Sequence, residues 1–270
     1  MRLHSPLAPG LITWKYRGLI APLVRRKIAS RYRGSVLGML WAILTPLIML
    51  GIYTFIFSVV FQSKWGGAEE NQSNFALFLF SGLILYLIFS ECVNEAPSLL
   101  RENKLYIQQL VFPTEILPWV SVLTSLFNFL INWLILIFFY CAVMGLPPLT
   151  AFFMPVIALP VALITVGTVW FISSLGLYLR DITHVVGLMT TALLFLSPIF
   201  YPASAVPDSF QLYYSVNPFV PSLNMSKAAL FQGSPPHWQT FVFLLIGSWT
   251  FAWLGYLWFI HSKKGFPDVV

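Results

Sequence analysis

Residues 25–50 read RRKIASRYRGSVLGMLWAILTPLIML, and they join a strongly cationic stretch to a long apolar one. Basic side chains are attracted to anionic lipid headgroups, whereas the apolar run must leave water. This junction therefore predicts the point at which the chain inserts into a bilayer. It also sets the direction of insertion, so that every later span follows by alternation.

The composition of the chain is typical of a membrane protein. Of the 270 residues, 58% are hydrophobic and only 9% are charged, and the mean hydropathy is +0.81. A soluble domain has about 25% charged residues, so this chain has too few to cover a water-exposed surface of its size. The formal net charge of +6 is concentrated near the start, which favours a membrane surface over nucleic acid as the partner.

Long apolar runs predict an all-α polytopic membrane protein with six transmembrane helices, because about 20 helical residues cross the hydrocarbon core. The spans are expected at about 36–61, 75–97, 118–144, 151–178, 184–200 and 238–260. Pro46 predicts a kink in the first span. Between the last two spans, residues 202–236 combine six prolines with apolar side chains, which predicts short re-entrant outer helices.

The N-terminal region, residues 1–35, is expected to be cytoplasmic and to contain an amphipathic interface helix. Pro22 suits the first turn of a helix over about 22–32, since a first-turn amide needs no intrahelical partner. Its apolar side would comprise Leu23, Val24, Ile28 and Tyr32, and its basic side Arg25, Arg26, Lys27, Arg31 and Arg33. Such a helix lies in the plane of the membrane interface or packs on its own protein, and we favour the first.

The distribution of basic residues predicts the orientation of the chain. With the N-terminus in the cytoplasm, thirteen of the 15 Lys and Arg residues fall on the cytoplasmic side, and only Lys64 and Lys227 fall outside. The inverted orientation would violate the positive-inside rule. Both the N-terminus and the tail, 261–270, are therefore expected in the cytoplasm.

No motif in the sequence indicates catalysis. The chain has no Gly-Lys dipeptide and therefore no phosphate-binding P-loop, so we expect no enzyme and no ATPase site on this subunit. Its four His residues, Cys92 and Cys141 make no metal-ligand pattern. We therefore expect this chain to bind no metal and no cofactor.

Two carboxylates, Glu91 and Glu95, lie four residues apart near the inner end of the second span and so share one helix face. Carboxylates inside a span are costly and often functional, which makes a proton path one interpretation. The other is a structural ion pair with basic residues near the start of the chain. We favour the ion pair because both carboxylates fall on the cationic side.

The segment 98–116 is the best candidate for mechanical coupling to another protein. It is the longest cytoplasmic loop after the N-terminal region, and it mixes charges with apolar side chains, which are Leu105, Tyr106, Ile107, Leu110 and Phe112. These apolar side chains would otherwise be exposed, which favours docking into a partner over a solvated loop without one.

Five motifs occur in order over about residues 20–262. They are Arg31-Tyr32-Arg33-Gly34-Ser35-Val36-Leu37-Gly38 with Trp41 and Thr45-Pro46-Leu47, Phe80-Ser81-Gly82-Leu83, Asn103 with Val111-Phe112-Pro113, Leu179-Arg180-Asp181-Ile182, and Ser197-Pro198-Ile199-Phe200-Tyr201 with Asn217-Pro218. Each motif alone is weak, but the ordered set resembles the type-2 permease subunits of polysaccharide ABC exporters, which carry O-antigen, capsule or teichoic acid. The O-antigen branch is the most similar.

The resemblance implies a homodimer of six-span subunits above two copies of a separate nucleotide-binding subunit, which would bind ATP and Mg²⁺. It implies that residues 22–33 form the interface helix, 101–113 a coupling helix and 208–232 the outer re-entrant helices. The residues that would couple this chain to the ATPase are Arg101, Glu102, Lys104, Tyr106 and Phe112.

The resemblance also implies that the first and fifth spans line a continuous channel between the two copies. Aromatic residues occur on both spans, and aromatic faces suit the apolar C–H faces of sugar rings. The candidates are Tyr53, Phe57, Phe61, Phe195, Phe200 and Tyr201. Because the chain has so many aromatic residues, lipid-facing or packed rings are the alternative interpretation for any one of them.

Together these features predict the channel-forming subunit of an ATP-driven exporter that moves lipid-linked polysaccharide across the bacterial inner membrane. One alternative is a permease of the same fold for drugs or lipids. Another is a proton-coupled carrier that uses Glu91 and Glu95, although such carriers favour internal repeats, which we do not find between the two halves. A glycolipid phosphate could meet the basic side of the interface helix, where headgroup binding and structural pairing are the favoured uses.

Overall fold

The computed structural model describes residues 5–56, 72–108, 112–179, 181–201 and 216–266, and all secondary structure in these ranges is helical. The α-helices are α1 (Ala8–Lys15), α2 (Arg17–Tyr32), α3 (Trp41–Tyr53), α4 (Gln72–Glu102), α5 (Lys104–Gln108), α6 (Leu117–Met144), α7 (Met154–Tyr178), α8 (Ile182–Leu196), α9 (Phe219–Phe231) and α10 (Trp238–Ser262). Short 3₁₀ turns precede α3, α6 and α7 at Gly38–Leu40, Thr114–Ile116 and Leu149–Phe153, and another, Lys263–Gly265, follows α10.

Within the described ranges, five helical segments are long and apolar enough to cross a membrane. They are Gly38–Ile56, Phe75–Glu102, Thr114–Met144, Leu149–Tyr178 and Trp238–Gly265, and they match five of the six predicted spans. The other prediction, 184–200, coincides with α8, which has only 15 residues. At 1.5 Å per residue it rises about 22 Å, against a hydrocarbon core of about 30 Å. Pro46 lies inside α3, and the predicted end of the first span, 57–61, lies outside the described residues.

The helices α4 and α7 form the centre of the bundle. In the most apolar stretches of α4 and α7, 78% and 61% of the residues are buried, whereas in the stretch that contains α3 only 6% are buried. Glycine allows these helices to approach closely. A Cβ atom at Gly176 of α7 would lie 2.6 Å from the Cα atom of Pro97 in α4, and one at Gly255 of α10 would lie 2.9 Å from the Cα atom of Gly167 in α7. Small residues thus let the central backbones pack directly on each other.

Polar and aromatic contacts mark two opposite ends of the bundle. At one end, which we call the basic end, an ion pair joins α2 to α4. A second ion pair there joins Glu115, in the Thr114–Ile116 turn, to Lys263, which follows α10. At the other, the α9 end, the Thr150 hydroxyl donates to the Ala229 carbonyl of α9 at 2.6 Å, and Trp238 packs edge to face on Phe153. The helix α2 and the end of α10 therefore lie on the same side of the bundle.

The interface helix begins earlier than predicted. The Tyr16 carbonyl accepts hydrogen bonds from the N–H groups of Leu19 and Ile20, and these bonds start α2 near Arg17. Pro22 therefore lies inside the helix and not in its first turn. Because proline has no N–H group, α2 lacks one intrahelical bond at this point.

The predicted coupling helix, 101–113, is divided. The helix α4 continues beyond its predicted end at 97, through Pro97 to Glu102, and so includes Arg101. The Asn103 side chain then donates from Nδ2 to the Leu99 carbonyl at 2.8 Å and occupies one of the carbonyls at the end of α4. A separate short helix, α5, follows. Residues 109–111 lie outside the described residues.

Candidate functional site

A cavity of about 790 Å³ lies at the basic end between α2, α4, α5 and α6. Its wall combines leucine, serine and threonine side chains with charged ones, which are Arg26, Lys27, Arg31, Glu91, Glu95 and Glu102. The basic residues come from α2 and the acidic ones from α4. The cavity therefore lies where the interface helix meets the centre of the bundle.

The Lys27 ammonium group connects three helices around this cavity. Its Nζ atom lies 2.7 Å from both carboxylate oxygens of Glu95 in α4, and it donates to the Ser121 hydroxyl of α6 at 2.9 Å. The two charged side chains are both partly buried, so solvent screens the pair less than it would a pair on the surface. Lys27 thus holds α2 against α4 and α6.

A second ion pair lies one turn further along α2. The Arg31 Nη1 atom is 3.3 Å from Oε2 of Glu91, and the Asn128 amide of α6 donates to the same oxygen at 3.2 Å. These contacts confirm the prediction that Glu91 pairs with the basic region, and the Lys27 contact does so for Glu95. In this arrangement both carboxylates are paired with cations of α2.

The two sides of α2 have different surroundings. Leu23 and Val24 pack against the core, so the apolar side lies on the chain's own helices, whereas Arg25, Arg26 and Arg33 are exposed. For the apolar side of α2, the alternative interpretation therefore applies, in which the helix packs on its own protein. The exposed cationic side leaves these guanidinium groups accessible at the basic end.

The helix α5 is connected to its surroundings through Tyr106. The Tyr106 ring stacks on Phe112, with the ring centroids 4.4 Å apart and an interplanar angle of 18°. Its hydroxyl accepts a hydrogen bond from Nη1 of Arg26 at 3.3 Å. Beside it, Leu105 is 76% exposed. A displacement of α5 would therefore reach both α2 and the segment that leads into α6.

The other predicted coupling residues surround the break at Asn103. Arg101 is partly buried, and its Nη2 atom donates to the Pro97 carbonyl at 3.3 Å, whereas its Nε atom finds no acceptor among the described residues. Glu102 and Lys104 are exposed on either side of the break. The role of these residues in docking stays a prediction.

Sequence reasoning missed a third ion pair at the basic end. Lys263, just after α10, lies 2.6 Å from Oε2 of Glu115, and only a tenth of the Glu115 side chain is exposed. The Trp170 indole of α7 donates to the Glu115 backbone carbonyl at 3.1 Å. Phe266 is buried against Phe259, so the described part of the tail is packed on the bundle. The partners are 148 residues apart, and no local pattern links them.

The predicted channel residues are only partly brought together. Phe195 and Phe200 stack with their centroids 5.6 Å apart, and the Tyr201 hydroxyl donates to the Phe195 carbonyl at 2.9 Å. Tyr53 ends α3, which packs on α4 and α6, whereas α8 packs on α4 and α7. Phe57 and Phe61 lie outside the described residues.

The α9 end contains a buried lysine, Lys227. The sequence analysis placed this residue on the outer side of the membrane but did not predict its burial. Lys227 of α9 is 7% exposed, its ammonium donates to the Pro198 carbonyl at 2.5 Å, and it lies 4.1 Å from the ring centroid of Phe78 in α4. The Asn217 amide donates to the Ser197 hydroxyl at 3.0 Å. These contacts hold α9 to α4 and to the residues that follow α8. A lone lysine in an apolar helix was the available signal.

Comparison with known families shows where the chain belongs. The family described as "ABC-2 type transporter" matches residues 19–231, which run from the first turn of α2 to the end of α9. This match covers most of the 270 residues, so the chain belongs to the ABC-2 type transporter family.

Curated relatives resemble the chain over most of its length. An O-antigen export system permease protein, RfbA, from Myxococcus xanthus is 27% identical over 259 residues, which are 95% of this chain and 97% of the relative. A protein of the same name from Klebsiella pneumoniae is 26% identical over 254 residues, 93% of this chain and 95% of the relative. The polysialic acid transport protein KpsM from Escherichia coli is 25% identical over 222 residues, 79% of this chain and 81% of the relative.

Proposed function

We propose that this member of the ABC-2 type transporter family is the channel-forming membrane subunit of an ATP-driven exporter, and that it moves a lipid-linked polysaccharide of the O-antigen type outward across the bacterial inner membrane. The observation that carries the proposal is the similarity to O-antigen export permeases over 95% and 93% of the chain. A capsule or teichoic-acid polymer is a related substrate, and the polysialic acid relative supports that class.

The proposed partner is a pair of ATP-binding subunits, which would bind ATP and Mg²⁺. The family consists of permease components of ABC exporters, and this chain has no P-loop of its own. The surface formed by Glu102, Lys104 and exposed Leu105 would dock on the partner. Large exposed apolar side chains beside charges are typical of docking sites.

A second copy of the chain would complete the channel. The free sides of α3 and α8 carry large exposed apolar side chains, such as Ile48, Leu188 and Phe195. Both helices pack on α4, and their other sides are left for a partner. Two copies facing each other through α3 and α8 would enclose a path between them, with the predicted aromatic residues along it.

Six passes with the basic end facing the cytoplasm fit the arrangement of the helices. The helix α7 ends beside Ser262 at the basic end, where the Tyr178 hydroxyl approaches the Ser262 carbonyl at 3.4 Å. The helix α9 lies at the other end. Pro198, just after α8, accepts a hydrogen bond from Lys227 of α9, so α8 would cross between the two ends. The positive-inside rule would turn the basic end toward the cytoplasm.

The coupling pathway would begin at α5. Closure of the ATP-binding subunits would displace α5, and Tyr106 would transmit this displacement to Phe112 and to Arg26 of α2. The ion pairs of Lys27 and Arg31 would carry the movement of α2 to α4 and α6. The exposed guanidinium groups of α2 lie where a glycolipid phosphate would approach from the inner headgroup region.

Reconstitution of the chain with its ATPase tests the proposal. Export of the lipid-linked glycan into vesicles is expected to require ATP hydrolysis. It should therefore stop when the partner carries a substitution that permits ATP binding but blocks hydrolysis. Continued export with such a partner would refute the ATP-driven mechanism. Export of unrelated lipids or drugs, but not of the glycan, would refute the proposed substrate.

A second experiment tests the coupling segment. Phe112→Ala, Arg101→Glu and Lys104→Glu are expected to leave ATP hydrolysis intact while glycan export per ATP falls. Lys264→Glu is the matched control, since this lysine is at the basic end but outside the segment. If the segment variants and the control export equally well per ATP, the segment has no part in coupling.

A further inference from the structure

The first helix of the chain runs along the last one. The Trp249 indole of α10 donates to the Pro6 carbonyl at 3.0 Å. The same indole covers Gly10, where a Cβ atom would lie 2.8 Å from the ring. The helix α1 contacts α10 and leads directly into α2, whose Lys27 and Arg31 pair with α4 at the basic end. The helix α1 therefore follows α10 from the level of Trp249 toward the basic end.

The level of Trp249 lies deep in the bundle. Trp249 is 13 residues before the end of α10 at Ser262, which corresponds to about 20 Å of helix. Large apolar side chains of α10 are exposed on both sides of this level, among them Phe243, Ile246 and Leu254. Outside the sides of α3 and α8 that we assign to a second copy, exposed apolar residues around the middle of a membrane span face lipid. The residues that contact Trp249 therefore lie at the depth of the hydrocarbon core.

The sequence of α1 suits this depth. Ala8–Lys15 carries no charged residue before Lys15, and its Leu11 and Trp14 are exposed, as is Leu7 just before it. Exposed leucines would be unfavourable in water, but they are compatible with contact to acyl chains.

The backbone at the start of α1 is largely paired, as burial in lipid requires. The Leu7 N–H group donates to the Ser5 hydroxyl at 3.4 Å, and the Ala8 N–H group donates to the Ser5 carbonyl at 2.9 Å. Pro9 has no N–H group, and Trp249 supplies the donor for the Pro6 carbonyl. A helix can therefore begin at this depth with few unpaired backbone groups.

The end of α1 has the composition of a headgroup region. The Arg17 guanidinium lies 4.6 Å from the Trp14 ring, and the Lys15 ammonium lies 4.9 Å from the Tyr16 ring. Aromatic and basic side chains together are typical of the membrane–water interface. From Gly10 to Arg17 the chain would rise about 10 Å, which is about two thirds of the hydrocarbon layer of one leaflet, about 15 Å.

We propose that α1 is a membrane-embedded half-helix, whose exposed leucines contact the acyl chains of the leaflet on the α2 side and which fastens α2 to the last span. This assignment changes the sequence-based expectation that residues 1–35 are entirely cytoplasmic. Only the part from about Trp14 onward lies at the headgroup level or outside. The proposal concerns the fold of the subunit and holds for any substrate.

Spin labels at single cysteines test the depth of α1 in the full chain reconstituted in phospholipid vesicles. The labelled variants are Leu11→Cys in α1, Ser30→Cys on exposed α2 and Ile246→Cys on α10, each with Cys92 and Cys141 replaced by alanine. The measurement compares relaxation by oxygen, which concentrates in lipid, with relaxation by a water-soluble nickel chelate. The Leu11→Cys label should match Ile246→Cys, with a several-fold preference for oxygen, and Ser30→Cys should show the reverse.

Two other results at position 11 would overturn the proposal. Access of the nickel chelate equal to that at Ser30→Cys would mean that α1 lies in water. Exclusion of both reagents would mean that protein, and not lipid, covers the exposed leucines.

The contact with Trp249 has its own matched pair of variants. A side chain at Gly10 cannot fit without displacing the indole, whereas nothing lies within 4 Å of a Cβ atom at Gly18. With the label at position 11, Gly10→Leu is expected to raise access of the nickel chelate several-fold, and Gly18→Leu to leave it unchanged. Unchanged access in Gly10→Leu would show that α1 does not depend on this contact.

Discussion

Gly176→Ala is expected to destabilise the bundle at its centre, where α7 crosses α4. The added Cβ atom would lie 2.6 Å from the Cα atom of Pro97 and 2.9 Å from its carbonyl carbon, whereas ordinary contact begins at 3.4 Å. Both are backbone atoms and cannot rotate away, so the two helices would have to separate by about 1 Å, which weakens the dispersion contacts along the whole interface.

The size of the loss follows from two opposing effects. Overpacking of this kind costs about 1–3 kcal/mol, and replacing a helical glycine by alanine returns about 0.5–1 kcal/mol. Because the added Cβ atom meets backbone atoms that cannot move aside, we expect the overpacking cost to lie near the upper end of its range. The net loss of unfolding free energy would then be about 2 kcal/mol.

The matched control is Gly247→Ala in α10. A Cβ atom there has no neighbour within 4 Å, so only the helix-forming gain of up to about 1 kcal/mol remains. Both free energies of unfolding would be measured by titration from mild detergent into denaturing detergent, with helicity followed by circular dichroism. If Gly176→Ala is as stable as Gly247→Ala, the close packing of α4 on α7 does not limit stability and the reasoning fails.

Three further predictions concern polar contacts. In a double-mutant cycle, Lys27→Met and Glu95→Gln should show a coupling of about 1 kcal/mol in detergent unfolding, since the pair is only partly screened; additive effects would rule out a stabilising pair. Lys263→Met should cost about 2–3 kcal/mol because it leaves a buried carboxylate unpaired, whereas Lys264→Met should cost little; equal melting temperatures of the two variants would contradict this. Tyr86→Phe removes the hydroxyl that donates to a carbonyl of α8 and should cost about 1 kcal/mol of unfolding free energy; a gain in stability would refute that estimate.

The features that sequence predicted well depend on short stretches of the chain. Apolar runs of at least 20 residues are expelled from water wherever they occur, so five spans were located from hydropathy alone. The pairing of Glu91 and Glu95 with basic residues near the start of the chain was predictable for a similar reason. A carboxylate near the edge of a span requires a cation, and the only dense group of cations precedes the first span.

The features that sequence did not predict depend on distant partners. Asn103 ends α4 through its own side chain, and a single asparagine in a polar segment does not indicate which bond it will make. The Lys263 and Glu115 pair joins residues that only the completed bundle brings together. The start of α2 depends on Tyr16, which follows a helix that we did not expect. In α8, an apolar run predicted the crossing, but not a helix shorter than the hydrocarbon core.

The contact between Pro6 and Trp249 also has a consequence for biosynthesis. The two residues are 243 positions apart, and a ribosome adds about 5–20 residues per second. The first helix must therefore wait roughly 10–50 s before its partner exists. During that interval α1 has to remain in the membrane or at its surface without the indole that completes its backbone pairing. The last span is thus the element that completes the packing of the first helix. Truncation of α10 before Trp249 would leave the Pro6 carbonyl without this donor.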